Sequence, residues 1–495
     1  MNYRLVSKYL GQFIIIFSFL TLPSLLCALI YGETSMVYTF LNTIIVACLI
    51  GGALALFGKN ATFKFYQREA LGLVALGWLL SAIIGALPFY FSGAFSMVDS
   101  IFESMSGLTT TGATIMEDIE SHPKSLLFWR SFSQWLGGMG IILLFIAVLP
   151  YLGAGGKQLF RSEVTGPDPR GLSPRIKDTA SFLYKIYFGM TIILVLLLMF
   201  AGMDLYDALC HTFTTLSTGG FSPRQDSIAY YDSAIIETII IVFMILAGTN
   251  FALYVTILRG KKFIFFRDTE WRTYLLVLTV ATLLVAANLQ GAQKQLVLST
   301  SPPETPEYTA VETMRASAFQ VVSIMTSTGY ATEDFDVWPY FSRVLLLLLM
   351  FIGGNAGSTA GGLKVIRWVI LAKMVYWRIE STFRPKTVRA IRVNGQVIEE
   401  DIQQMIYAFF ALNMVVFSSG TLIMTFFGLP IESAASSVAA TLNNIGPGFE
   451  HVGPVESFAF IPDIGKLFLA LFMMMGRLEM FTVCVLFVPA FWRHA

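Results

Sequence analysis

Four polar, glycine-centred clusters interrupt an otherwise apolar chain, and their placement limits what it can fold into. They read Thr109-Thr110-Thr111-Gly112-Ala113, Leu216-Ser217-Thr218-Gly219-Gly220-Phe221, Thr326-Ser327-Thr328-Gly329-Tyr330 and Asn443-Asn444-Ile445-Gly446-Pro447-Gly448-Phe449. Aligned on Gly112, Gly219, Gly329 and Gly446, they recur at intervals of 107, 110 and 117 residues. Each follows a semi-apolar stretch too short to cross a bilayer, at 97–108, 205–216, 313–325 and 431–442. Each precedes a long apolar run with a second glycine echo, at Gly137-Gly138, Gly248, Gly353-Gly354 and Gly476. One such cluster is an ordinary turn signal. Four at matched spacing are an internal repeat: a span, a short helix dipping in, an extended strand coming out, and a span. Non-helical backbone at membrane depth persists only where protein buries it or where it lines a water-filled cavity.

The runs around the clusters suit this reading. A spanning helix needs roughly 20 residues. Stretches of about that length or more lie near 10–31, 37–57, 71–92, 132–152, 183–203, 236–258, 273–290, 341–372, 404–428 and 464–491. Hydrophobic residues make up 55% of the chain and charged residues 13%, too few to coat a globular surface. That excludes disorder, a disulfide scaffold and an ordinary cytosolic enzyme. A net charge of +1 with no basic domain offers nothing to nucleic acid. Cys27, Cys48, Cys210 and Cys484 share no metal-ligand spacing, and no nucleophile–base constellation is present. The expectation is an all-α polytopic membrane protein that is not an enzyme and carries no cofactor of its own.

Lys and Arg gather in alternate connections, around 59–68, 157–177, 259–272 and 373–392, while Asp and Glu dominate the others. Positive residues mark the cytoplasmic side, so both termini are expected there. The first run is too long for a signal-peptide core and is read as a retained span. The chain then divides into a two-helix extension (1–60) and four repeats (61–165, 166–262, 263–385 and 386–495) around one central pore.

Four extended loops around an axis can replace the hydration shell of a cation with backbone carbonyls. Glycine supplies the positive φ that such strands need. The candidate ion-binding residues are therefore Thr110, Thr111, Gly112, Ser217, Thr218, Gly219, Ser327, Thr328, Gly329, Asn444, Ile445 and Gly446. The short helices are expected to aim their C-terminal, electronegative ends at the pore.

The loops STGGFSP (217–223) and TSTGY (326–330) and the stretch GGNAGSTAGGLK (353–364) resemble those of the Trk/Ktr/HKT superfamily of potassium transporters. The bacterial TrkH branch is the most similar, through the extra N-terminal spans, GPDPRGLSPRIKDTA (166–180) and MGRLEMFTVCVLFVPAFWR (475–493). The resemblance implies a pseudo-tetrameric pore in one chain, placed in the bacterial inner membrane. It also implies a homodimer and a cytoplasmic ring of TrkA-type subunits that bind the regulating nucleotide. Potassium is the implied cargo, with rubidium passing and sodium less well excluded than in a tetrameric potassium channel. Glycine at position 112, where serine goes with sodium preference in the plant branch, supports potassium.

Two further features lie in the apolar runs. Gly353, Gly354, Asn355, Ala356, Gly357, Ser358, Thr359, Ala360, Gly361 and Gly362 make a poor helix, since each glycine costs about 1 kcal/mol relative to alanine. Close helix packing and an unwound gate both account for the run, and the resemblance favours the gate. Arg477 lies deep in the last run with Glu479 two residues on. Residues two apart do not face each other on a helix, so Arg477 is either bridged to another helix or set at the constriction, where the resemblance places it. The alternative function is a coupled symporter moving potassium with a proton or sodium ion.

Overall fold

The computed structural model describes residues 1–59, 66–138, 140, 176–260, 263–290, 309–385 and 390–492. Among them, helices Tyr3–Phe19 and Leu22–Ile30 form one span that lies along Thr34–Phe57. The two backbones touch where side chains are missing: a Cβ on Gly11 would sit 2.4 Å from the Gly51 carbonyl oxygen. Small residues allow this approach where lipid gives no hydrophobic drive to pair.

Six described helices are long and apolar enough to cross a membrane: Tyr3–Ile30 (its two consecutive segments counted once), Thr34–Phe57, Arg68–Phe91, Ser181–Phe200, Thr269–Leu289 and Glu400–Phe426. Large apolar side chains such as Ile30, Leu49, Phe200, Leu422 and Phe426 point outward, the pattern of a chain whose solvent is hydrocarbon.

Four short helices are enclosed by these spans: Met97–Leu108, Leu205–Leu216, Ala310–Met325 and Ile431–Leu442. Their starts are encoded locally. The side chains of Ser96, Asp204 and Thr309 accept the backbone N–H of Asp99, Asp207 and Glu312, and Thr309 with Glu312 completes a capping box. The fourth begins after Pro430 with Glu432 in its first turn. Acidic residues here also suit the positive helix end.

The segments beyond these helices are broken, which corrects three of the spans expected from hydropathy. The run at 236–258 is two helices, Ala234–Ala247 and Phe251–Leu258, bent by 89° around Gly248. The run at 341–372 separates into Tyr340–Ile352 and Val365–Phe383. The run at 464–491 stops as a helix at Arg477, and Glu479, with φ of 60°, re-aims the chain into Met480–Cys484. At the first two of these breaks, backbone groups leave the helix ladder to bond each other's segments, Asn355 N–H with Gly248 O and Phe251 N–H with Gly357 O. The run at 132–152 is helical over Lys124–Gly138. Residues 139, 141–152 and 166–175, with Lys64, Lys157, Arg161 and Arg389, lie outside the described residues.

A two-stranded hairpin, Arg392–Val393 with Gln396–Val397, turns on Asn394 and Gly395, both with positive φ. Asn-Gly is the pair that such a tight turn favours. Its flanks, Ile391, Val393 and Ile398, pack with Ile366, Ile370, Met374 and Ala356.

Candidate functional site

All four short helices end in the same turn. In each, one residue past the cap lies in the left-handed region: Thr110 (φ 55°), Thr218 (55°), Ser327 (57°) and Asn444 (55°). The next residue turns its N–H back on the helix, with Thr111 bonding Ser106 O, Gly219 bonding Thr214 O, Thr328 bonding Ser323 O and Ile445 bonding Ala440 O. This is the Schellman closure. It normally uses glycine, because a left-handed L-residue costs on the order of 1–2 kcal/mol. Four such residues together show that the surrounding packing dictates the turn.

The turn sets the register of the strand beyond it. The positive-φ glycines are Gly112 (86°), Gly220 (72°), Gly329 (77°) and Gly446 (105°). In the second loop the glycine at this place is therefore Gly220, not Gly219 as aligned by sequence. Gly219 takes the position of Thr111, Thr328 and Ile445, and Thr218 that of Thr110, Ser327 and Asn444.

These glycines form a closed ring of contacts. A Cβ on Gly112 would lie 2.2 Å from Gly219 O. One on Gly220 would lie 1.8 Å from Thr328 O, one on Gly329 1.9 Å from Ile445 O, and one on Gly446 2.9 Å from Thr111 O. Each loop thus abuts the carbonyl of the next, and the fourth returns to the first. The same glycines face a cavity of about 70 Å³ that Arg130, Arg224 and Glu456 also line.

Buried polar groups hold the loops in place. Gln134 donates to Gly219 O (2.8 Å) and accepts from Phe221 N–H (3.1 Å). The Tyr330 hydroxyl meets Thr214, Thr215 and the His211 carbonyl. Asn444 donates to the Thr111 hydroxyl (2.9 Å) and to Met473 O (2.9 Å). The nearby acidic groups are largely committed: Glu103 to Arg130, Asp207 and Glu120 to Arg224, Asp99 to Lys466, and Asp336 to Arg343. At Arg224, burial opposes the charge, but the hydrogen bond and charge of Asp207 outweigh it and raise the pKa.

The segment 353–364 runs against this ring, and its polar groups reach the ends of three of the four short helices. Gly361 N–H donates to the Ser327 hydroxyl, and Gly362 N–H to Asn443 O (3.1 Å). The Thr359 hydroxyl donates to Leu216 O at 3.0 Å. Asn355 N–H bonds Gly248 O, and Phe251 N–H bonds Gly357 O. Glu270 accepts from Ala356 N–H (2.6 Å) and Ile366 N–H (3.2 Å), holding the segment near both ends. Arg477 donates to Thr359 O (2.7 Å) and Gly137 O (2.9 Å), while Glu479 pairs with Arg367. Of the residues read from sequence, the twelve of the loops and the eleven of segment 353–362 and Arg477 thus come together in one contiguous site. Gln134, Glu270, Tyr330 and Lys364, whose ammonium bonds Ala360 O and Gly361 O, were not among them.

The family model for TrkH, a cation transport protein, matches residues 37–494. The chain belongs to the TrkH family. It is 39% identical over 498 residues to the Trk system potassium uptake protein TrkH of Escherichia coli K12, covering 100% of both chains. It is 33% identical over 495 residues to the Trk system potassium uptake protein TrkG of the same organism, covering 99% of each. The crystal structure of the potassium transporter TrkH from Vibrio parahaemolyticus superposes with a TM-score of 0.86 at 34% identity, over 100% of both chains. Within this TrkH-family fold, the glycine ring and the segment packed against it lie buried among the described spans.

Proposed function

We propose that this chain carries potassium ions into the cell through a pore whose selectivity filter is the ring of four loops. The observation that carries the reading is the ring itself, in which Gly112, Gly220, Gly329 and Gly446 each abut a carbonyl of the next loop. Such a ring can exchange water oxygens for carbonyl oxygens around a cation. The relatives, potassium uptake proteins and a potassium transporter by name, support potassium as the cargo.

Segment 353–364 acts as the gate and Arg477 as its latch. A buried guanidinium bonded to carbonyls keeps its charge, repels a cation approaching it, and draws the segment towards Gly137. The basic connections place both termini in the cytoplasm. A homodimer and a nucleotide-binding ring of TrkA type, expected from the family resemblance, complete the reading, with the gate segment as the part they act on.

The test is rubidium-86 uptake into cells whose own potassium uptake has been removed, with and without Gly220→Ser. Uptake that potassium competes away and the substitution abolishes supports the filter. Equal uptake by the two proteins at equal membrane abundance rejects it.

A further inference from the structure

Six residues before its C-cap, each short helix carries a side chain that is 0% exposed: Glu103, His211, Gln320 and Ser437. Three of them face the outgoing strand of their own loop. His211 meets the Ser222 hydroxyl at 3.1 Å and Gln320 donates to Thr332 at 3.4 Å, whereas Ser437 bonds back to its own helix at Ala434 O. Glu103 does more. It accepts from the Thr114 hydroxyl (3.0 and 3.1 Å), from Ile115 N–H (3.0 Å) and from Arg130 Nε (2.6 Å). The same guanidinium donates to Ser222 O at 2.9 Å and lies 3.5 Å from the centre of the Phe221 ring. One ion pair therefore suspends the strand beyond Gly112 and ties it to the strand beyond Gly220. Of the four equivalent positions this is the charged one, so the ring is braced unequally.

We propose that Glu103 and Arg130 are specificity-determining positioning residues, which hold the first and second loops at the separation that favours the larger of two monovalent cations. The inference rests on the proposed filter. Both ions of the pair are buried, so a charge-assisted bond between them is short and stiff. Glutamine at 103 keeps the size and still accepts from Ile115, but it no longer holds the guanidinium by charge. The two strands can then close on a smaller ion, and sodium gains relative to potassium. Glu103 does not touch the ion in this scheme; it acts through Thr114, Ile115 and Arg130.

The test uses the full chain in cells whose own potassium uptake has been removed. Rubidium-86 and sodium-22 uptake are measured for wild type, Glu103→Gln, Arg130→Lys, Gly220→Ser and Arg477→Ala, and their ratio is taken where both ions enter. The ratio is taken on the same cells, so it does not depend on how much of a variant folds. Losing one charge-assisted hydrogen bond predicts a fall of about tenfold in Glu103→Gln. Arg130→Lys should fall less, because one ammonium can hold Glu103 but cannot fork to Ser222. A wild-type ratio kept by both pair variants, with uptake lost in Gly220→Ser, overturns the role of the pair and leaves the filter standing. A wild type and an Arg477→Ala protein that both take up neither ion, or a Gly220→Ser protein that matches wild type, overturn the filter and this inference together.

Discussion

The guanidinium of Arg477 bonds Thr359 O at 2.7 Å and Gly137 O at 2.9 Å, so one side chain joins the glycine-rich segment to the first repeat's outgoing helix. Its partners are carbonyls, and its sequence neighbour Glu479 is occupied with Arg367. Among the described residues the charge is thus met by carbonyl dipoles, and in the proposed gate it repels cations. Replacing Arg477 with Ala should raise uptake in the absence of any activating partner, and Lys should give an intermediate rate because it cannot bridge both carbonyls. Rubidium-86 flux into proteoliposomes measures this; a rate identical to wild type in both variants would sink the latch.

Gly219 and Gly220 are adjacent, yet they should respond differently. An alanine at 220 places its Cβ 1.8 Å from Thr328 O on a backbone with φ of 72°. At 219 the nearest atoms belong to the side chain of Gln134, at 2.4 Å, which can move. Gly220→Ala should abolish rubidium uptake, while Gly219→Ala should retain a measurable fraction. Equal losses would reject the register assigned to the second loop.

Gln134 satisfies one donor and one acceptor of that loop. Leucine there leaves Phe221 N–H buried without its partner, at about 1–3 kcal/mol for each orphaned group. Gln134→Leu should lower the melting temperature of the purified protein and reduce flux, with Gln134→Glu closer to wild type because it still accepts from Phe221. Thermal unfolding in detergent and uptake on one preparation decide it.

Glu270 clamps segment 353–364 and the start of the following helix by two amides, from Ala356 and Ile366. Alanine frees both and should increase basal uptake, whereas glutamine retains an acceptor oxygen and should stay near the wild-type rate. If Ala and Gln behave alike, the carboxylate is not holding the segment through those amides.

The contact between Gly11 and Gly51 is remote from the ring. Gly51→Leu forces two backbones apart and should cost about 1–3 kcal/mol of stability, with the rubidium-to-sodium ratio unchanged. A changed ratio would mean that the N-terminal pair takes part in shaping the pore.

Much of this architecture is visible in residue order. Three of the short helices, at 97–108, 205–216 and 431–442, keep the bounds that apolar content and the polar cluster imply. The remaining one begins earlier, at Ala310, where Thr309 and Glu312 make a capping box that the sequence spells out. The hairpin at Asn394-Gly395 is equally local, although hydropathy passes over it. The family signature in segment 353–364 and at Arg477 is likewise written in adjacent residues.

What the chain determines by itself is whatever acts over a few neighbours: apolar length, caps, glycine positions and the repeat that places them. What only the tertiary structure decides is which of two neighbouring glycines adopts the positive φ, and which distant groups meet. Gly220, the one of the pair with positive φ, lies against Thr328 O of the next loop. The pairing of Glu103 with Arg130, and of Glu270 with Ala356 and Ile366, joins positions 27, 86 and 96 residues apart. A buried polar group must find a partner wherever the fold brings one, and that partner's identity exists only after the spans have packed.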